Sequence, residues 1–538
     1  MRSRVFLILL FVLSTVLTQE SGVRFIFAAS GVNAVLKKYI PEYTKVILST
    51  PIPSIHVVQK VAILGDVDFN IENVKINKID FGDFQANSRS PNVVILGTDT
   101  ASVSFSLNWS YKQKNWPHAS GHGTAEGFAE RTQLKGTVFA SVKDGIFVFK
   151  SDKITLDIGN SKVTIHGGVS GWIANLLEAL FRQRIRDAIE SSVQNVIVDK
   201  IDNTLNEIIR KTNFSPEIKV GTDPKTLNWI SDFTIPDNQL FMNDQFLSAA
   251  PRFSSRPVRG QSSSMKPVAL PDQPVDLNRD VNMFLSDYVF NSFFEALHVG
   301  GQLHYPVLPE DVPDYSPIKF NTTNFKLWFP TLYEKYPNAA IRMDVETLNA
   351  PTLTFTSQGV KIFANASLQF SARGADGNYQ KAFKTAALLN ANYLNVTVKS
   401  GKEGTLLTFG GKVDANVQLK LIESEIGDVD VTKFNQIINL VALRGAITAL
   451  NKKLAAGLEV DMTTLGIPGT LVVDDLQFLL HENYVNVNTN ATFVPKEILS
   501  DNQDALQMLS FMVGEVQRMR NIIGNLKQEL EQCHQGEL

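Results

Sequence analysis

The sequence predicts an α+β protein of two similar halves, each a strongly curved antiparallel sheet wrapped around one long amphipathic helix. Three observations predict it. Short alternating segments run through both halves, a long helical stripe follows the main run of segments in each, and a proline-rich stretch separates the two. In 66–76, Val67, Phe69 and Ile71 share one face while Asp68, Asn70 and Glu72 take the other. That two-residue period is the mark of a strand with one wet and one apolar side.

The first half opens with a helical pattern over 24–48, and alternating segments continue through 60–81, 92–97, 101–112, 136–149 and 153–167. The glycine-rich stretch 120–127 lies between strand patterns and lacks the G-x-G-x-x-G spacing of a nucleotide site, so it reads as a hairpin loop. Next, 171–211 places Trp172, Leu176, Leu180, Ile185, Ile189, Val193, Ile197, Ile201, Leu205 and Ile208 three to five residues apart. This is one apolar stripe about ten turns long. The second half repeats the order: a helical opening over 281–301, alternating segments through 339–372 and 406–427, a helix over 433–458, and closing strands over 469–489. Between the halves, 248–280 contains Pro251, Pro257, Pro267, Pro271 and Pro274 among serines and arginines, the composition of an extended linker.

Charge excludes one class of function. Lys and Arg number 51 against 54 Asp and Glu, so there is no concentrated positive surface of the kind that binds nucleic acid. Arg2 and Arg4 precede the apolar run 5–17, which has signal-peptide length and is shorter than the roughly 20 residues of a membrane span. N-x-S/T sequons at Asn108, Asn213, Asn321, Asn365, Asn395 and Asn490 fit an exported glycoprotein. The expected product is secreted and extracellular. With a single cysteine, the chain has no intrachain disulfide to hold it.

Several segments resemble the family of bactericidal/permeability-increasing protein, lipopolysaccharide-binding protein and the plasma phospholipid and cholesteryl ester transfer proteins, within the tubular lipid-binding superfamily. They are "LSDYVFNSFFEAL" (285–297), "KLWFPTLYEKYPNAAIRMDV" (326–345) and "APTLTFTSQGVKIFANASLQFSA" (350–372) in the second half. In the first half, the 24–55 helix running into an I-P turn, "NWSYKQKNWPHASG" (108–121) and the Gly-Trp helix at 171 are similar to family segments in the same order. The resemblance covers about 22–494. It implies a two-barrel boomerang joined by a central sheet, with an apolar pocket for acyl chains in each barrel. The boundaries that follow are a signal peptide 1–20, a first barrel 21–247, the linker 248–280, a second barrel 281–500 and a helical extension 501–538.

The implied function is non-catalytic carriage of phospholipid or a similar amphipathic lipid, docking transiently on membrane or lipoprotein surfaces. The alternative is an innate-immune lipopolysaccharide binder. Expected pocket walls are Trp172, Leu176, Leu180, Ile189 and Val193 in the first barrel, and Phe290, Phe294, Leu297, Ile437, Val441 and Leu450 in the second. The hairpin matching the family's basic tip offers Trp109, Lys112, Lys114, Trp116 and His118 for headgroup contact. Residues 21–250 carry 24 Lys and Arg against 23 Asp and Glu, a near-neutral barrel that favours carriage over endotoxin killing. The sequence contains no G-x-S-x-G, H-E-x-x-H, C-x-x-C, P-loop or EF-hand motif, and neither metal nor cofactor is expected beyond the bound lipid. The family usually ties its first long helix to a strand by a disulfide, whereas Val198 or a neighbour stands at the helix position here.

Beyond the family's last strand, Leu506, Leu509, Val513, Val516, Ile523 and Leu530 fall on an imperfect heptad seam that could pack on its own barrel or pair with another chain. Cys533 lies on that seam's helix. In an oxidising compartment the expected outcome is an intermolecular bridge between two copies. Non-reducing gels should show a dimer that Cys533→Ser abolishes, and a monomer on those gels would exclude the bridge.

Overall fold

A computed structural model describes residues 21–494 apart from 62–64, 160, 169–170, 221–225, 261–264, 313–317, 401–405 and 462–469. The segment read as a signal peptide, the expected C-terminal helix and Cys533 lie outside the described residues. Each half is built on a seven-stranded antiparallel sheet. The first uses Ile55–Val61, Gly65–Asp80, Gln85–Arg89, Val93–Gln113, Ser120–Lys143, Ile146–Asp157 and Ser161–Gly167. The second uses His304–Val307, Ile341–Thr347, Thr352–Thr356, Gly359–Arg373, Tyr379–Ser400, Leu406–Ser424 and Leu458–Asp461. Register shifts at Glu72/Lys75, Thr98/Ala101 and Lys384/Thr385 insert bulges into these long strands. Bulges bend a strand and raise its twist, so each sheet curls towards a barrel.

A six-stranded central sheet joins the halves, in the order Leu240–Met242, Phe246–Ala249, Val23–Ala28, Val281–Ser286, Tyr484–Val494, Thr470–His481. The halves meet where Val23–Ala28 runs antiparallel to Val281–Ser286, with Phe25 opposite Met283. The openings that read as helical therefore each begin with a strand, and only then turn into helices α1 (Ala29–Ser49) and α3 (Tyr288–Val299). Ile26 and Phe284 explain the difference, since both are fully buried and pack with Phe246 and Leu270. Leu270 comes from the proline-rich stretch, which is docked rather than loose. Within it Ser254–Arg256 pairs with Ile230–Asp232, and Arg279 bridges Asp276 at 3.1 Å and Asp475 at 2.8 Å.

The glycine-rich stretch 120–127 is also corrected, for it lies inside the strand Ser120–Lys143. Tyr111 faces Gly121, Trp109 faces Gly123 and Phe105 faces Gly127 across the ladder. A Cβ on Gly127 would stand 1.9 Å from the Phe105 ring, and one on Gly123 would strike the Trp109 indole at 2.6 Å. These glycines are spaces into which the neighbouring strand's aromatic rings lie, a device for covering glycine within a sheet.

The long helical pattern forms α2 (171–211), α-helical except for π-helical turns at Phe181–Ile185 and Lys200–Leu205. The first of these turns falls where the apolar spacing widens to five between Leu180 and Ile185, and the extra residue keeps the stripe on one face. The stripe ends early: Ile208 is 55% exposed.

Beside the stripe, a polar row at four-residue spacing binds the free edge of strand Ile146–Asp157. Asn206 accepts from the Phe149 N–H at 2.9 Å and donates to its carbonyl at 2.6 Å. Asp202 accepts from the Ser151 N–H at 2.6 Å, Gln194 donates to the Leu156 carbonyl at 3.5 Å, and Glu190 accepts from the Ile158 N–H at 2.7 Å. The second barrel repeats this with α4 (432–456). Asn451 pairs with both amide groups of Val413 (2.6 and 2.8 Å), Asn439 with both of Val417 (2.9 and 2.7 Å), and Asn435 accepts from the Leu419 N–H at 2.9 Å. Each sheet edge is thus closed by helix side chains. Replacing Asn206 with leucine removes both bonds and strands a buried N–H and C=O on Phe149. We expect a loss of about 2–4 kcal/mol of unfolding free energy, read as a lower denaturant midpoint at unchanged slope.

Candidate functional site

The first barrel is solid where its pocket wall was expected. Leu180, Ile189 and Val193 are 7%, 0% and 2% exposed and pack into one cluster with Val67, Phe69, Ile71, Phe105 and Trp109. Leu176 is half-buried against the same cluster. Among the described residues these side chains are packed by their neighbours into one core. Two clefts of about 340 and 560 Å3 lie elsewhere on this sheet, the first around Asn70, Glu72, Asn108 and His122, the second around Asp99, Phe128 and Arg131. Both are open to solvent and too shallow to enclose an acyl chain.

The second barrel is arranged differently. Its far end is plugged by Phe325, Phe329, Phe370, Phe383 and Phe434, with the Phe370 and Phe383 rings stacked at 4.6 Å. The motif segments "KLWFP" and "TLYEKYPN" supply this plug through Phe329, Leu332 and Tyr336. Its near end is a second cluster against the central sheet, formed by Leu353, Phe355, Val360 and Val485 with Phe290 and Phe294 packed on it. Asn291 fixes α3 there, bonding both the N–H (2.7 Å) and the C=O (2.9 Å) of Leu353.

Between the two plugs the inward sheet face carries small or half-buried residues. Register places Ala364, Leu389 and Val417 side by side, and Ala391 beside Ala415. Each of these, with Ala366, Ala387 and Val413, is half-buried and belongs to neither cluster. Along Leu406–Ser424 the outward residues Lys412, Asp414, Asn416, Gln418 and Lys420 are exposed, so Val413, Ala415 and Val417 occupy the interior side. Among the described residues the result is an apolar trough of small side chains between aromatic plugs, beside α4, whose side chains at 441, 442, 445, 446 and 449 lie outside the described residues. Small residues were the missed signal. The inward alanines 364, 366, 387, 391 and 415 are smaller than the leucine or phenylalanine of a tightly filled core.

The expected second-barrel residues scatter around this trough. Ile437 packs at the far plug and Phe290 and Phe294 at the near one, and Leu450 is half-buried on α4. Leu297 is instead buried in a separate cluster with Ile218, Trp229 and Ala296, outside the barrel interior. The side chains of Trp172 and Val441 lie outside the described residues.

At the first barrel's hairpin, the expected headgroup set divides. Trp109 is 2% exposed and its indole N–H donates to the Thr124 carbonyl at 3.1 Å, so it is core and cannot reach a headgroup. Trp116 is 86% exposed, and Lys112, Lys114 and His118 are exposed around it. Lys114 is already 3.3 Å from Asp68. Among the sequons, Asn108, Asn213 and Asn395 are exposed, whereas Asn321 caps a helical turn by accepting from the Asn324 N–H at 2.8 Å. Asn365 and Asn490 are half-buried and hydrogen-bonded, to Asn349 and to the Asp280 N–H.

Asp287 joins the central sheet to α3, whose Phe290 and Phe294 border the trough. Burial pushes its carboxyl up to about 6, against the opposing pull of Ser286 and the Tyr288 N–H. Unfolded, the group titrates near 3.8, so the folded state holds the proton more tightly. Its contribution to stability is complete below about pH 4 and is lost as the pH rises through about 6. Asp287→Asn should raise stability at pH 7 and match the parent near pH 4, which urea titrations at the two pH values will read.

The architecture is two curved sheets, each closed by a long helix, joined by a shared central sheet. Residues 251–493, a little under half of the chain, match the model of the LBP/BPI/CETP family, C-terminal domain. The chain is 23% identical to bovine (Bos taurus) lipopolysaccharide-binding protein over 335 residues, 62% of this chain and 65% of that one. It is 22% identical to bactericidal permeability-increasing protein of Sebastes schlegelii over 450 residues, 82% of this chain and 89% of that one. A crystal structure of lipopolysaccharide binding protein superposes with a TM-score of 0.52 at 16% identity, covering 88% of this chain and 99% of that one. At that identity the likeness speaks for the fold alone. The match spans just under two thirds of the bovine relative's length.

Proposed function

We propose that this chain is a secreted, non-catalytic lipid-binding and transfer protein that shelters the acyl chains of a phospholipid or similar amphipathic lipid in its second barrel. The observation that carries the reading is the break in the core between the two aromatic plugs, where an apolar sheet face is only half-buried. Each methylene kept from water is worth about 0.8 kcal/mol, so an acyl chain laid along such a face gains far more than a surface patch could offer. Water left in an alanine-floored trough has few polar partners and is readily displaced. The first barrel, filled by its own side chains, acts as a rigid arm carrying the Trp116 hairpin to membrane or lipoprotein surfaces, where an indole and flanking lysines suit a phospholipid interface.

A second reading, lipopolysaccharide binding in innate immunity, is favoured by the same hairpin and by the names of the matched relatives. Its weakness is charge, because Lys114 is engaged with Asp68 and the first barrel is nearly neutral. Homodimerisation through the C-terminal helix belongs to this proposal as well.

Protein purified from its expression host should yield stoichiometric lipid on denaturation and mass spectrometry. Ala364→Phe with Ala391→Phe should cut that lipid at least about tenfold while the melting temperature holds or rises, as expected when an apolar gap is filled. Unchanged lipid in the filled variant would place the cargo elsewhere, and its absence from the parent would remove the carrier reading. Affinity for endotoxin clearly above that for neutral phospholipid vesicles would favour the second reading.

A further inference from the structure

The edge of strand Leu406–Ser424 that faces α4 is latched at Val413, Val417 and Leu419 by Asn451, Asn439 and Asn435. In an antiparallel ladder alternate residues turn both their N–H and C=O to the same side. The register through Asp414, Ala415 and Asn416 is continuous, so Ala415 turns both groups towards the helix as Val413 and Val417 do. The four-residue rhythm of the latches puts Leu443 and Ile447 opposite it, between Asn439 and Asn451. Neither side chain can donate or accept. The nearest polar residues on that stretch point elsewhere: Arg444 is exposed, and Thr448 is exposed with its hydroxyl donating to the Arg444 carbonyl at 2.8 Å. Among the described residues Ala415 has no protein partner on this side, although its own methyl group lies on the trough face.

Backbone amide groups beside an apolar space are nearly always paired, and leaving one unmade costs about 1–3 kcal/mol. The neighbouring latches show what fits. At Val413 and at Val417 a single planar carboxamide offers an acceptor and a donor side by side to one residue's N–H and C=O. We propose that the rung missing at Ala415 is supplied by the ligand, and that the second barrel selects a lipid whose head is a carboxamide or a protonated carboxyl, with its chain in the trough. Both heads present a syn donor–acceptor pair of the asparagine type. An alkyl ester has the acceptor and lacks the donor, so it satisfies the Ala415 N–H and leaves the carbonyl bare. This inference rests on the carrier reading and, within it, favours a fatty amide or acid over a diacyl phospholipid, whose esters lack the donor.

The probes are hexadecanamide and methyl hexadecanoate, which share a chain and differ in the donor. Delipidated full-length protein should bind the amide at least about tenfold more tightly, the ratio expected for one hydrogen bond to a half-buried carbonyl. Leu443→Asn and Ile447→Asn each place a protein carboxamide at the gap. The one that reaches Ala415 should raise the melting temperature and bring the ratio close to one. A parent protein that binds both probes equally overturns the seam while leaving the carrier reading intact, and so does a preference that survives in both variants. Binding of neither probe overturns the seam and counts against the trough as a chain site, a failure that lipid extraction would register separately.

Discussion

The structure depends on one recurring interaction, a side-chain amide that bonds both the N–H and the C=O of a single residue at a strand edge. Asn206 does this at Phe149, Asn291 at Leu353, Asn439 at Val417 and Asn451 at Val413. A curved sheet that does not close on itself leaves an edge of unpaired amides, open to water and to other chains. Covering that edge with an ordinary apolar helix would bury the amides unpaired. The asparagines let a helix occupy the edge as a strand would, which is how one sheet and one helix make a barrel.

That solution leaves the barrel interior free to be filled or left open, and the two halves differ here. In the first, Phe105 and Trp109 lie over Gly127 and Gly123, and the stripe of α2 fills what remains. In the second, alanines take the middle of the floor and aromatic rings collect at the two ends. The same topology therefore yields one barrel packed by large side chains and one floored by small ones. The distinction comes from side-chain size, since the ladders, bulges and helix latches are shared.

Much of this was legible from sequence. The alternation of Val67, Phe69 and Ile71 gave the strands and the apolar stripe gave the long helix, while the π turn at the step from Leu180 to Ile185 came only with the structure. The resemblance supplied the central sheet, which no local pattern could, because the pairing of Phe25 with Met283 joins residues far apart in the chain. What misled were local signals overridden by tertiary partners. The glycines of 120–127 look like a loop until the rings opposite them are known, and Trp109 looks interfacial until Gly123 makes room for it. An apolar stripe also cannot say whether it faces side chains or space; Leu180, Ile189 and Val193, expected at a pocket wall, lie buried among side chains.

The missing disulfide can be weighed in the same terms. The polar row on α2 runs through Glu190, Gln194, Asp202 and Asn206, and at four-residue spacing its absent member is Val198, where the resemblance implies a cysteine. Val198 packs on the core instead of binding the strand. A disulfide typically adds about 2–4 kcal/mol, chiefly by restricting the unfolded chain. A side chain bonded to a backbone amide contributes about 1 kcal/mol, more where the partner is charged. The rungs on either side of Val198, Gln194 to Leu156 and Asp202 to Ser151, together approach the smaller of those disulfide values. They differ from a disulfide in kind, because hydrogen bonds can break and re-form while the helix shifts along the strand. Helix and sheet edge in this protein are held by reversible contacts in both barrels, and the barrel with a rung to spare is the one that contains the space.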